Sequence, residues 1–149
     1  MSVQHLTIDD TTTWFQAGDR SVFIGDVLDL ATSATLRVRF SRYGRGASHE
    51  WMVTADEALI VTKGALTVRS AAGVQTAAAG EVISLTKGTR VVFRGEQDPT
   101  EVVFVTHLTW YDAQRTDDPL EHEEVTPFRG ATRLGRSALG APAPLRKGA

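Results

Sequence analysis

The sequence predicts an all-β protein in which short strands close into a small barrel. About nine strand-like segments follow one another at intervals of roughly 8–12 residues, and glycine-rich turns separate them. No segment keeps a sustained 3.6-residue hydrophobic period, so we expect low helix content. Two similar phrases, GRGASHEWMVTADEALIVTKG at 44–64 and GEVISLTKGTRVVF at 80–93, suggest an interior site between them.

The chain divides into three parts. Residues 1–20 are mostly polar and are expected to form an N-terminal arm in which Trp14 caps the barrel. Residues 21–112 are expected to form the barrel as a single domain, since a chain of 149 residues suits one core. Residues 113–149 turn from acidic to basic and are rich in Gly, Pro and Ala, which predicts a largely flexible tail. The alternative is that Val125–Phe128 docks on the barrel or on a partner subunit.

The first strand-like segments carry two patterns. Ser21–Leu30 is apolar around Gly25, which predicts a strand with a bulge or kink at the glycine. Ala34–Tyr43 alternates, with Arg37 and Arg39 on the face opposite the apolar one. We expect this arginine face to point to solvent or to an interface. If it pointed inward instead, it would favour a carboxylate or phosphate ligand.

The remaining elements begin after a glycine loop at 44–48. His49–Thr54 predicts a short strand and Ala58–Thr62 a buried one. Lys63 and Gly64 predict a hairpin into a strand at Ala65–Ser70. The last strands are predicted at Val74–Ala77, Glu81–Leu85, Arg90–Arg94 and Glu101–Thr109.

Composition excludes several kinds of site and partner. The chain has no cysteine, which excludes disulfides, thiolate metal sites and cysteine nucleophiles. The net charge is −2 and no basic stripe with interleaved aromatic residues occurs, so we expect no nucleic-acid partner. Neither a secretory signal nor a run of about 18 apolar residues is present. We therefore expect a cytoplasmic protein that does not contact membranes.

The two phrases resemble the two motifs of the cupin superfamily. Glu57 and Gly64 match the E-x6-G end of the first motif, G-x5-H-x-H-x3,4-E-x6-G, and His49 corresponds to its first histidine. Gly80 and Gly88 match the glycines of the second motif, G-x5-P-x-G-x2-H-x3-N. The resemblance covers roughly residues 21–110 and implies a cupin-type jelly-roll barrel. Within the superfamily, the sequence of these two segments is similar to that of small cupins related to the ethanolamine-utilisation Q protein.

Cupins commonly hold a metal ion with three histidines and one glutamate, and this sequence departs from that set. Trp51 stands at the second histidine position and Val91 at the histidine position of the second motif. His49 and Glu57 are too few for a tight iron, manganese or zinc site, and His107 is the one further candidate ligand. We therefore expect no metal and no cofactor.

His49 and Glu57 remain as the candidate catalytic pair. An imidazole takes or gives a proton near neutral pH, and burial raises the pKa of a carboxylate toward the working range. The alternative is structural, with His49 hydrogen-bonded in the interior and Glu57 held by an arginine or by backbone donors. Trp51 shares a strand face with His49 and offers a flat wall for a ligand. The other candidate substrate-binding residues are Tyr43, Arg39, His107, Val91 and Phe93.

We therefore expect a metal-independent enzyme that acts on a small organic molecule by acid/base proton transfer, of isomerase, cyclase or lyase type. One alternative is the phosphoryl- or acetate-linked role that the resemblance to the ethanolamine-utilisation group implies. Another is a non-catalytic barrel that only binds a small ligand. Exposed edge strands in such barrels predict a homodimer.

Overall fold

The computed structural model describes residues 3–11, 13–28, 35–107 and 132–135, and these ranges are all-β, as predicted. A short 3-10 helix, Ile8–Asp10, precedes the first strand. The strands are β1 (Thr13–Gln16), β2 (Val22–Leu28), β3 (Leu36–Tyr43), β4 (Ser48–Met52), β5 (Glu57–Lys63), β6 (Ala65–Ser70), β7 (Gly73–Ala78), β8 (Val82–Leu85), β9 (Arg90–Gly95), β10 (Thr100–His107) and β11 (Thr132–Gly135). Within these ranges, no helix is long and apolar enough to span a membrane.

Two antiparallel sheets pack together as a jelly roll. The larger sheet has the order β11-β1-β2-β3-β10-β5-β8, and the smaller has the order β4-β9-β6-β7. Side chains from both sheets form one buried core, which includes Val22, Leu59, Leu66, Phe93 and Phe104. Across this core, the rings of Phe93 and Phe104 meet edge to face with their centroids 5.6 Å apart. The predicted fold class is therefore confirmed.

Gly64 marks the point at which the chain passes from one sheet to the other, and the expected hairpin there is wrong. β5 pairs with β10 and β8, whereas β6 pairs with β7 and β9. The φ angle of Gly64 is +72°, and a Cβ atom at this position would lie 2.9 Å from the carbonyl oxygen of Pro99. Only glycine meets both conditions without strain. The sequence predicts the tight turn correctly, but a turn does not specify which strands it joins.

The bulge predicted at Gly25 is displaced. Gly25 lies opposite Phe40 in a regular ladder between β2 and β3, and the register shifts between Asp26 and Leu28. A glycine inside a strand weakens the strand but does not by itself require an extra residue. The ladder therefore continues through the glycine and breaks one residue later.

The N-terminal arm covers the outer face of the larger sheet. Trp14 of β1 is 3% exposed and packs with Ile8, Phe23 and Phe40 in a cluster separate from the main core. Trp14 therefore packs on the outer face of the larger sheet, and its predicted role as a cap of the barrel stays a prediction. β1 also pairs with β11, which comes from the tail. The remainder of the tail, including Val125–Phe128, lies outside the described residues.

Gly95, at the end of β9, allows the backbone to pack directly against Tyr43. A Cβ atom at Gly95 would lie 2.5 Å from the Cβ of Tyr43 and 3.0 Å from the carbonyl oxygen of Gly44. No side chain fits that space, so this approach of β9 to the end of β3 depends on glycine.

Candidate functional site

The inner face of β3 carries three buried polar residues, Arg39, Ser41 and Tyr43. Arg39 is only 8% exposed, whereas Leu36 on the opposite face is 38% exposed. The expectation that the arginine face of this strand points to solvent or an interface is therefore wrong for Arg39. The physical reason is the position of β3 between β2 and β10, which places one face of the strand against the core.

A carboxylate and two aromatic rings surround the buried guanidinium of Arg39. Its Nη2 atom donates a hydrogen bond to Oε2 of Glu57 at 3.3 Å. Its central carbon lies 5.6 Å from the ring centroid of Trp51 and 5.7 Å from that of Phe104, within the range of cation–π attraction. Burial lowers the pKa of Arg39, and the charge of Arg37 adds to this effect, whereas Glu57 opposes it. Glu57 and the rings thus offset part of the cost of burying this charge.

Glu57 accepts hydrogen bonds on both carboxylate oxygens. Oε1 accepts from the indole Nε1 of Trp51 at 3.3 Å, and Oε2 accepts from the hydroxyl of Thr106 at 2.9 Å as well as from Arg39. Thr106 reaches Glu57 because the two residues are register partners in β10 and β5. These contacts agree with the alternative in which an arginine holds Glu57. A proton-transfer role for Glu57 stays a prediction.

His49 lies in the interior on β4 and is 4% exposed. Its Nε2 atom is 3.4 Å from the hydroxyl of Tyr43, and its ring packs edge-on against Phe93 at 5.3 Å between centroids. Burial lowers the pKa of His49 to about 4, with a smaller contribution from the charge of Arg20. The imidazole is therefore neutral at pH 7 and can accept a proton from a neighbouring group.

Tyr43 stands between His49 and the pair formed by Arg39 and Glu57. Burial raises the pKa of Tyr43 above its ordinary value, whereas the nearby Ser41 hydroxyl and the charge of Arg39 oppose that shift. The phenol therefore keeps its proton at neutral pH and can donate it in a hydrogen bond. The order of side chains across the interior is His49, Tyr43, Arg39 and Glu57.

One buried polar atom of this group, Nε of Arg39, has no hydrogen-bond partner within the part of the chain that the structure describes. It belongs to the inner face of β3. Buried polar atoms in proteins are normally bonded to protein or to water, so this atom leaves hydrogen-bonding capacity for another molecule.

The other predicted substrate-binding residues fall into two sets. Val91 and Phe93 are 1% exposed on β9 and belong to the core, where they pack beneath the polar group. His107 is exposed at the end of β10. Because side chains alternate along a strand, His107 lies on the opposite face from Thr106 and is not brought together with Glu57.

The residues present do not fit the cupin metal site. Trp51 and Val91, which occupy two of its histidine positions, lie opposite each other on β4 and β9 and offer no metal ligand. Both oxygens of Glu57 already accept hydrogen bonds. Within the described ranges, no group of three or more His, Asp or Glu residues is arranged to hold a metal ion. The expectation that the protein needs no cofactor stays a prediction.

Sequence reasoning missed Phe104 and Thr106. Both lie in β10, whose sequence TEVVFVTH has a run of consecutive apolar residues at Val102–Val105, so alternation does not reveal an inward face. The one available signal was the threonine itself, which interrupts the apolar run. Its partner could be found only from the pairing of β10 with β5.

Comparison with known proteins gives fold-level similarity. No protein-family model and no curated protein matches the chain. A putative ethanolamine utilization protein Q from Salmonella typhimurium LT2 is 23% identical with a TM-score of 0.56, over 62% of this chain and 77% of that one. An RmlC-like cupin from Shewanella frigidimarina NCIMB 400 is 11% identical with a TM-score of 0.58, over 74% and 96%.

The polyketide cyclase RemF from Streptomyces resistomycificus is also similar, at 11% identity and a TM-score of 0.58, over 86% of this chain and 97% of that one. These identities are too low to transfer a function, but the similarity spans most of each matched chain. Together with the two packed sheets, it shows that this chain has the jelly-roll fold of the cupin superfamily.

Proposed function

We propose that this protein is a metal-independent enzyme that moves a proton on a small organic molecule, in an isomerase, cyclase or lyase type of reaction. The observation that carries this proposal is a neutral, buried imidazole at His49 in the same interior group as the buried guanidinium of Arg39. A base that shares an interior with a fixed positive charge is suited to removing a proton from carbon next to a carbonyl, because that charge can stabilise the negative charge that develops on oxygen.

In this proposal His49 is the base, and Arg39 stabilises the charge on oxygen. The lowered pKa of His49 makes its protonated form more acidic than an ordinary imidazolium, so the proton is readily returned to another atom of the same molecule. Tyr43, which contacts His49, is the second proton donor. Glu57 acts through Arg39 and Trp51, since its oxygens accept hydrogen bonds from both, and is therefore a positioning residue.

The fold is compatible with this chemistry, since one compared structure of the same fold is described as a polyketide cyclase. The phosphoryl- or acetate-linked alternative rests only on the likeness to the ethanolamine utilization protein, and no contact in the described interior favours it. An experiment must distinguish this proposal from the alternative in which the barrel binds a ligand without catalysing a reaction.

The test is proton exchange in D2O. The protein is incubated with methyl acetoacetate, cyclohexanone and pyruvate, and loss of the proton signals next to each carbonyl is followed by NMR. We expect the wild-type protein to accelerate exchange for at least one compound, the His49→Gln variant to lose this effect, and the His107→Gln variant to keep it.

Two results would contradict the proposal. Exchange no faster than in buffer for the whole panel would point to a binding module, and exchange that survives in His49→Gln would remove His49 as the base. Treatment with EDTA tests metal independence separately. A loss of activity that returns when metal is added would contradict it.

A further inference from the structure

The charges in the interior group balance one another. The positive charge of Arg39 meets the negative charge of Glu57 at 3.3 Å, and both side chains are buried. Arg37, the next positive charge on β3, pairs with Asp26 through two hydrogen bonds at 3.0 and 3.1 Å. His49 adds no charge at pH 7. The site is therefore close to neutral before any ligand binds.

Hydrogen-bonding capacity remains although the charges balance. Arg39 uses Nη2 for Glu57, but its Nε has no partner within the described ranges. A ligand that fits this site must supply a hydrogen-bond acceptor for Arg39 without adding a charge that nothing compensates.

We propose that the site takes an uncharged molecule with a carbonyl group, whose oxygen accepts a hydrogen bond from Nε of Arg39, in preference to a carboxylate. This differs from the simple expectation that an inward arginine selects an anion. A buried carboxylate would bring a second negative charge close to Glu57, against a single positive charge. A ketone or amide oxygen satisfies the donor at no such cost.

The proposed reaction keeps the same charge balance, and to this extent the inference rests on the proposed function. The bond between hydrogen and the carbon beside the carbonyl breaks, and the proton goes to His49. The electron pair of that bond moves into the carbonyl group and leaves the negative charge on its oxygen, next to Arg39. One positive and one negative charge appear together, so the interior stays neutral overall.

A matched pair of probes tests the ligand class without turnover. Benzamide and benzoate have almost the same shape but differ by one charge. Each is titrated at pH 7 into protein labelled with nitrogen-15, and the Nε–H signal of Arg39 is followed, with Arg39→Lys used to assign it. We expect benzamide to shift this signal and to bind about tenfold more tightly than benzoate.

Charge variants sharpen the test. Glu57→Gln leaves Arg39 without its counter-charge, so the preference should reverse toward benzoate. Glu101→Gln, which removes the buried carboxylate of β10 that pairs with Arg42, is the matched control and should keep the preference for benzamide.

The wild-type comparison is decisive even where the Glu57→Gln variant fails to fold. Benzoate binding as tightly as benzamide would overturn the inference. So would the absence of any shift with either probe at millimolar concentration, which would mean that water satisfies Nε of Arg39. Because binding is measured directly, a preference for benzamide stands even where the exchange experiment finds no reaction, and the two ideas can fail separately.

Discussion

Two buried arginines on β3 have closely related surroundings but point to opposite sides of the larger sheet. Arg39 faces the interior, pairs with Glu57 and lies over Trp51. Arg42 faces outward, pairs with Glu101 and lies 5.4 Å from the ring of Trp14. Each arginine therefore has one buried carboxylate and at least one aromatic ring.

The two pairs differ in how completely the hydrogen-bonding groups are used. Arg42 donates from Nε to Glu101 at 2.7 Å, and Lys63 adds a second positive charge 3.7 Å from the same carboxylate. Arg39 donates to Glu57 only from Nη2, at 3.3 Å, and its Nε is unused within the described ranges. The outer pair, Arg42 and Glu101, is suited to holding the arm to the sheet. The inner pair, Arg39 and Glu57, retains a hydrogen-bond donor for a ligand.

The largest expected effect comes from removing the arginine of each pair. Arg39→Met leaves Glu57 buried without a counter-charge and should lower the free energy of unfolding by about 3–5 kcal/mol. Arg42→Met should cost about 2 kcal/mol, because Lys63 still faces Glu101. Urea unfolding at pH 7 measures both. The double variant Arg39→Met with Glu57→Leu should recover much of the loss, and equal losses for the two single variants would contradict the comparison.

The second effect is a pH dependence of the protein's stability, which arises from His49 in the interior group. Between the ordinary pKa of 6.5 and the lowered value of about 4, the unfolded chain binds a proton at His49 that the folded chain does not. Stability should therefore fall as the pH is lowered through this window, by about 3 kcal/mol at most.

Denaturant unfolding at pH 7 and at pH 4.5 measures this contribution. The wild-type protein should lose more stability than His49→Gln over this interval, since the carboxylates of both proteins titrate alike. His107→Gln controls for the loss of a histidine as such and should follow the wild type. Parallel pH curves for wild type and His49→Gln would show that His49 does not titrate as the structure indicates.

Thr106→Val makes a smaller change at the inner pair. It removes the 2.9 Å hydrogen bond to Glu57 while nearly preserving the shape of the side chain. The free energy of unfolding should fall by about 1–2 kcal/mol, and proton exchange should slow because Glu57 then orients Arg39 less firmly. Unfolding and exchange are measured on the same preparation. A loss of stability with unchanged exchange would make Thr106 purely structural.

Lys63→Met should have the smallest effect and tests the outer pair. The side chain of Lys63 is 59% exposed, and its 3.7 Å contact with Glu101 is weak. Its removal from the otherwise intact protein should change the free energy of unfolding by less than about 0.5 kcal/mol. In the Arg42→Met background the same substitution should cost more, because Glu101 then loses both of the positive charges that contact it in the described ranges. Equal costs in both backgrounds would show that Lys63 does not compensate.

The sequence was enough to predict the fold class and the approximate positions of most strands along the chain. Alternation along Leu36–Tyr43 correctly separates two faces, but it does not say which of them is buried. Arg39 lies on one face and Arg42 on the other, so charge offers no guide. The decision depends on β2 and β10, which flank this strand, and on the arm that packs outside it.

The candidate site was predicted only in part, and again the missing part depends on how distant strands pack together. His49, Trp51 and Glu57 lie close together in the chain and share a motif, so their joint position was accessible from sequence. Thr106 and Phe104 come from a strand about fifty residues further on, and their inward positions follow only from strand pairing. Partners that meet through long-range register leave little trace in a single sequence.

The close packing of Gly95 on Tyr43 has a consequence for how this protein can evolve. Gly95 has no side chain and no part in the proposed proton transfer, yet any larger residue there must displace the tyrosine beside His49. If the proposed reaction is the one under selection, selection would act on Gly95 as well as on the reacting groups. Among related sequences, this glycine should be invariant wherever the tyrosine keeps its role. Its loss would mark lineages in which the proposed chemistry has changed or been lost.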